Sequence, residues 1–274
     1  MVDWPKGAWS HSHWSSVRKC TRLAHLKYDL NLTPVGPAAP ALQIGSYFHK
    51  ALEAVGRNAM HGYETSRATW VSAMQEANMA AEDVDARLDG MRLVGAYSQH
   101  YGHENAGYGP GVEIHGVELV LTGGDLHAAI GGFAAIADAW VEDLDGHMLY
   151  EHKTAARMPS GSPEDQVRHL KSRPQYPALA FCFRATHGFI PRVCHNLVTK
   201  TKTVGLRRNI IEFTDMELDD WAASQRELEP LAQLNFQNRD ACAPTFGPAC
   251  DFFHYCHGTD EEREQLYQIR VREH

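Results

Sequence analysis

The chain has 274 residues, enough to bury a sizeable core as one large domain or two modest ones. Hydrophobic residues make up 43% and charged residues 22%, a globular composition that excludes disordered and collagen-like classes. With 34 acidic against 26 basic residues the formal charge is -8, so no basic tail advertises nucleic acid or an anionic membrane, although a local basic groove stays open. The opening MVDWPKGAWSHSHW lacks an apolar secretory stretch, and Tyr176 to Phe183, the most apolar run, is far too short to span a membrane. A cytoplasmic protein is expected, in which six cysteines serve as ligands or buried thiols rather than disulfides.

In chain order, Ser12 to Leu30 reads as a helix carrying Trp14, Val17, Leu23 and Leu26. TPVGPAAPA at 33–41 reads as a loop. Helical signals resume at Ser46 and run to about Tyr101, with breaks expected near Gly56 to Gly62 and near Gly90. Glycine-broken alternating runs follow in GYGPGVEIHGVELVLTGGDLHAAIGG, and then two strands, Phe133 to Glu142 and His147 to Lys153, around Leu144-Asp145-Gly146. Asp-Gly between alternating segments predicts a hairpin. Ser162 to His187 is helical with a break or restart at Pro174 and Pro177; Phe189 to Val198 and Leu206 to Phe213 are strands. Thr214 with Glu217 three residues on is a capping-box pattern, and a charged helix from about Asp260 closes the chain. This order argues an α/β or α+β fold with a helical attachment.

With Asp145 and Gly146 as the central turn residues, Trp140 would face Glu151 and Asp138 would face Lys153, all on one side of the hairpin. Two carboxylates and a lysine are costly to hold against a core unless a metal or mutual pairing compensates them. Asp138 and Glu151 supply hard oxygen donors suited to Mg²⁺ or Mn²⁺, which can activate water and polarise a phosphate. Lys153 could orient that water or stabilise developing charge. The plain alternative is a solvated hairpin face. His49, in GSYFHKALEAV with Glu53 one turn on, is a second candidate ligand whose default is a core or surface histidine. Gln175, near the start of the helix after the hairpin, could position a phosphate, water or the lysine. Glu118 and Asp125 are spare acids; Asp125 suits a turn, and Glu118 an earlier strand facing the site.

Three cysteines crowd the C-terminal region as Cys242-x7-Cys250-x5-Cys256. They cannot complete a four-thiolate site, and Cys20, His254 and His257 are the available fourth ligands. Cys182 and Cys194 read as buried thiols. Lys200, Lys202, Arg207, Arg208, Arg168, Lys171 and Arg173 could neutralise phosphates or be ordinary surface charge. Trp14, Tyr47 and Trp140 could stack on an unpaired base, with core packing as the default.

Four segments together resemble the PD-(D/E)XK nuclease superfamily, specifically its RecB-like exonuclease group with CRISPR-associated and phage-type iron–sulfur members. They are SHSHWSSVRKCTRLAHLKY, GSYFHKALE, AAIADAWVEDLDGHMLYEHKT and PQYPALAF, the last with Leu179 where a tyrosine is often expected, and the likeness runs from about 12 to 258. The resemblance implies a restriction-endonuclease-like core, a central mixed sheet flanked by helices, in a single nuclease domain over 1–274. A helical insertion at 56–101 and a cysteine-rich segment at 238–258, packed against the N-terminal helix, would complete it. It implies His49, Asp138 and Glu151 as ligands of Mg²⁺ or Mn²⁺, Lys153 as the catalytic lysine and Gln175 as the supporting helix residue. It selects Cys20 to join Cys242, Cys250 and Cys256 around a [4Fe-4S] cluster, with zinc as the second choice. The implied activity is a metal-dependent DNA exonuclease using a metal-activated water, in recombination, repair, phage DNA processing or defence. DNA ends or single strands would be its substrate; a protein partner or a homo-oligomer is left open. The alternatives are an inactive or partner-dependent DNA-end-binding protein on the same fold, and a metal hydrolase of small phosphate esters.

Overall fold

A computed structural model describes residues 5, 7–61, 66–127, 132–234, 237–242 and 250–270. Three parts of the segments singled out above lie outside the described residues: 62–65 of the helical insertion, 128–131 of the glycine-broken run and 243–249 of the cysteine-rich segment. The first half runs β1 (Trp9–Ser10), α1 (His11–Lys19), α2 (Thr21–Ala24), β2 (Leu32–Pro34), α3 (Pro40–Met60), α4 (Arg67–Glu76), α5 (Val84–Tyr101), β3 (Glu113–Thr122) and β4 (Phe133–Asp143). The second runs β5 (Gly146–Ala155), α6 (Pro163–Lys171), α7 (Gln175–His187), β6 (Arg192–Thr199), β7 (Leu206–Ile211), α8 (Asp215–Glu227), α9 (Arg239–Cys242), α10 (Phe253–His257), α11 (Asp260–Leu266) and β8 (Tyr267–Ile269). Among the described residues no helix is long and apolar enough to cross a membrane. The chain divides into two compact units, Met1–Pro37 with Thr122–Ala134 and Asp219–His274, and Ala38–Leu121 with Ala135–Leu218.

The larger unit is an α/β fold with a mixed central sheet flanked by helices. β4 and β5 pair antiparallel, β5 and β6 parallel, β6 and β7 antiparallel, and β3 pairs with β4. The parallel step needs a crossover, which α6 and α7 provide. Side chains alternate across the sheet, so β5 faces two ways. Its Tyr150 and His152 lie against rings of α3, α5 and Tyr108, while Trp140 on β4 lies against Phe183 of α7. The core under α3 joins Tyr47, Phe48, Leu52 and Val55 to Trp70, Leu93, Val94 and Tyr97 and to sheet residues Ala139, Val141 and Val198.

Helix ends follow local chemistry. α3 starts at Pro40, six residues before the expected Ser46, because a proline at N1 loses no hydrogen bond there. It runs through Gly56 without a break, as α5 runs through Gly90. A Cβ on Gly90 would come within 2.5 Å of the Tyr47 ring, so this glycine permits close helix packing rather than ending a helix. Ser66 and Thr69 cap α4 reciprocally, and Thr214 and Glu217 form the expected box at α8, with the Thr214 N–H donating to Glu217 at 2.8 Å.

The hairpin pairs Asp143 with Gly146, Trp140 with Leu149 and Ala139 with Tyr150, which makes Leu144 and Asp145 the central residues instead of Asp145 and Gly146. Only Gly146 has positive φ, at +102°, whereas an Asp-Gly type I′ turn needs it at both central positions. Asp143 Oδ1 accepts the Asp145 N–H at 2.9 Å and holds this arrangement. The register is therefore shifted by two from that expected. A shift of two keeps every side chain on its face.

In the smaller unit, β1 pairs in parallel with Phe133 and Ala134, and β2 pairs antiparallel with β8. The expected helix over Ser12 to Leu30 is split at Cys20, whose backbone is extended (φ -168°, ψ 117°) between α1 and α2. Leu26, Phe252 and Tyr267 form a small core, with Leu23, Leu32, Cys250, Tyr255 and Cys256 packed on it.

Candidate functional site

The slip-tolerant face of the hairpin brings Asp138, Glu151 and Lys153 together. Glu151 is buried, and both Lys153 Nζ and the Gln175 amide donate to its Oε1. Gln175 reaches it from the first position of α7, just after Pro174. Asp138 Oδ2 accepts the backbone N–H of His152 at 2.6 Å, and its Oδ1 lies 3.4 Å from Nδ1 of His49 on α3. Thus β4, β5, α3 and α7 each contribute one or more of the expected residues.

The electrostatics are those of a site with too much negative charge. Burial alone would push the Asp138 carboxyl up, but His49, His152 and Lys153 hold it far below the usual carboxylate range. Burial and then the charge on Asp138 push Glu151 up to about 7, despite Lys153. Burial tends to lower His49 and Lys153, yet Asp138 raises the first and Glu151 the second.

Glu118 on β3 belongs to the same group. Burial, Asp138 and Glu53 push it up to about 7, and it shares a cavity of about 700 Å³ with His49, Lys50, Glu53, Lys153 and Lys200. Its backbone sits at φ +52°, an uncommon conformation for a non-glycine residue inside a strand. Strand alternation pointed to Glu118 only loosely, since a positive φ interrupts the alternation that would aim it. Asp125 instead forms an exposed ion pair with Arg226 at 3.2 Å.

The donor set fits a hard divalent cation. Asp138, Glu151 and Glu118 offer carboxylate oxygens, and His49 one imidazole nitrogen. Because Lys153 and Gln175 both use Oε1 of Glu151, the other oxygen is left for an ion.

Lys153 also lines a second cavity, of about 360 Å³, with Arg157, His169, Arg173, His195 and Asn209. Burial, then Lys153 and Arg173, push His195 down to about 4, so it faces this space neutral. Of the cations expected to meet phosphates, Arg173 and Lys200 line the two cavities, and Lys200 Nζ also donates to the Ala41 carbonyl at 3.0 Å. Arg208 is tied instead to the Tyr97 hydroxyl and the Gly107 carbonyl, and its guanidinium lies 3.6 Å from the Tyr101 ring centre. Lys171 pairs with Glu217 at 2.7 Å and Arg168 with Asp165 at 3.2 Å. Trp14 and Tyr47 are buried in the core and have no face for a base.

A second group of ligand types lies on the same hairpin. One ligand atom each from His115 of β3, Glu142 of β4 and His147 of β5 fall within 4.8 Å of one another. Nothing in the local sequence marks this set, because it depends on β3 lying beside β4.

In the smaller unit two of the four cysteines, Cys20 and Cys242, meet Asn238. The Asn238 N–H points to Cys20 Sγ at 3.4 Å, and Cys242 Sγ points to the Asn238 carbonyl at the same distance. Cys250 N–H donates to the Cys242 carbonyl at 2.9 Å. Burial raises the Cys250 and Cys256 thiols; Cys242 adds to the first, and Cys250 and Cys20 to the second. All four are free thiols, and among the described residues no three of their sulfurs lie within 4.8 Å of one another, so the expected cysteine-rich segment is not a compact ligand group. His254 stands 3.9 Å from Glu262 and His257 3.4 Å from Gln237. Cys182 and Cys194 are buried elsewhere, each with its thiol pushed up by burial.

A family model described as the PD-(D/E)XK nuclease superfamily matches residues 8–257. A solved structure from Eubacterium rectale, provisionally described as an exonuclease, superposes with a TM-score of 0.54 at 12% identity, over 90% of this chain and 92% of that one. At this identity the likeness concerns the fold. No curated protein matches the chain.

Proposed function

Since the chain belongs to the PD-(D/E)XK nuclease superfamily, we propose that it is a metal-dependent DNA exonuclease of the RecB-like kind. The observation that carries this is the convergence of Lys153 and Gln175 on one oxygen of buried Glu151, beside Asp138 and His49. Asp138, Glu151 and His49 are the proposed holders of Mg²⁺ or Mn²⁺, with Glu118 as an added carboxylate. An ion held there would lower the pKa of a water molecule and polarise the scissile phosphate. Lys153 keeps its ammonium beside that position and offsets charge developing on phosphoryl oxygens. Gln175 fixes the Glu151 carboxylate, and the His152 N–H fixes Asp138, so the acids need not reorganise. His49 must give up its proton to act as a ligand, which frees Asp138 from their ion pair.

DNA as the substrate is supported by Lys50, Lys153 and Lys200 around one cavity and Arg157 and Arg173 around the other. The proposed work is on ends or single strands, in recombination, repair, phage DNA processing or defence. Residues 1–274 are read as one nuclease domain, with 56–101 a helical insertion and 238–258 packed on the N-terminal helix. The contact of Leu26 with Phe252 and Cys256 supports the last point. Digestion of end-labelled single- and double-stranded DNA with Mn²⁺, beside circular DNA, tests the activity. Linear DNA should be degraded by the natural chain and spared by E151Q and K153A. Equal digestion by all three would remove these residues from the chemistry.

Cys20, Cys242, Cys250 and Cys256 are the proposed ligands of a [4Fe-4S] cluster. Anaerobically purified protein should be brown and hold equal iron and sulfide. Colourless protein containing zinc would reverse the choice.

A further inference from the structure

We propose that His115, Glu142 and His147 form a second cation site, for a transition ion of the zinc class, at the turn end of the β4–β5 hairpin. It is independent of the nuclease reading. β3, β4 and β5 are neighbours in the sheet, and each contributes one ligand, so the ion would bridge three strands. Oε2 of Glu142 lies 2.9 Å from Nε2 of His115 and 3.6 Å from Nδ1 of His147. Those separations bracket the edge of about 3.3 Å that tetrahedral Zn–N and Zn–O bonds of about 2.0–2.1 Å require.

The surroundings suit the ligands. An indole N–H can only donate, so Trp140 Nε1 at 3.3 Å marks His147 Nδ1 as unprotonated, and an arriving ion would displace this long hydrogen bond to take the same lone pair. Glu113 Oε1 stands 3.8 Å from the other ring nitrogen of His115, beyond hydrogen-bond reach, where a small shift would let a carboxylate orient a metal-bound histidine. The Trp140 ring centre is 4.7 Å from that of His115, and the Phe189 ring centre 4.6 Å from that of His147, making an apolar wall behind the imidazoles. The Glu142 side chain is 43% exposed, so an ion can enter from solvent.

Two imidazoles and one carboxylate are borderline donors that prefer Zn²⁺ or Co²⁺ to Mg²⁺, whereas the Asp138 group is mostly oxygen. Glu142 is four residues along β4 from Asp138, about 13 Å at strand spacing, so one ion cannot serve both. Three protein ligands leave a fourth position for water. Bound there, the ion would clip the hairpin end to β3.

Co²⁺ titration of the full-length, anaerobically purified, chelator-washed chain tests this through the visible bands of tetrahedral cobalt, with Zn²⁺ as competitor. The natural chain, D138N/E151Q and C256S should all show one such site. H147A should lose it, and E142Q, which keeps the shape of the side chain, should weaken it at least tenfold. Zn²⁺ should raise the melting temperature of the natural chain but not of H147A. Equal cobalt bands in H147A and the natural chain would overturn the proposal. So would bands lost only in D138N/E151Q or C256S, or no uptake by the natural chain.

Discussion

The two ends of the β4–β5 hairpin carry ligands on one face of the same two strands, yet they differ in kind. At the inner end Glu151 is buried and Asp138 largely so, and the charge on Asp138 perturbs Glu151. At the turn end Glu142 is more exposed than either and lies between two imidazoles. Burial, more than residue type, makes the difference. A carboxylate removed from water must find a cation or take a proton, while an exposed one is already solvated. The inner end is thus poised for a doubly charged ion, and the turn end offers a site that the fold can tolerate empty.

The strongest way to break this contrast is to remove charge at the inner end. D138N should lower DNA cleavage by about 10³-fold or more in an Mn²⁺ assay, with the native circular dichroism kept and a lower melting temperature, since the shape stays but the charge paired with His49 is lost. Survival of cleavage would mean the inner end is not the reaction centre. Next in size is pH. Glu118 and Glu151 have been pushed up to about 7, so both bind protons as pH falls below 7, and a cation must displace those protons. Mn²⁺ affinity by calorimetry should drop about ten- to a hundredfold from pH 8 to pH 6. Weaker dependence would place the ion away from these two carboxyls. Q175A, which frees one Glu151 oxygen from its amide partner, should cost roughly tenfold in rate and less in substrate affinity. Last, E142Q should leave DNA cleavage within about twofold of the natural chain, because the two ends act apart. A large loss there would join them into one site.

The inner end was legible from sequence for a geometric reason. The hairpin register was misjudged by two residues, but the face is set by parity, so Asp138, Glu151 and Lys153 stayed together. The Thr214–Glu217 capping box was equally local and equally readable. What sequence could not show depends on neighbours in space. The use of Gly90 is decided by Tyr47, more than forty residues earlier in the chain, and a break was the natural reading of the isolated glycine. Arg208 looked like a phosphate contact until Tyr97 and Tyr101 enclosed it. His115 could join Glu142 and His147 only once β3 was known to lie beside β4.

Lys153 lines both of the cavities described above. A polynucleotide occupying the two at once would have to carry its backbone past this ammonium. One side chain would then serve as gatepost and as chemical aid, meeting each phosphate in turn as the strand advanced. Measuring step and cut separately on such a molecule would be difficult, because any change at this position would slow the two together.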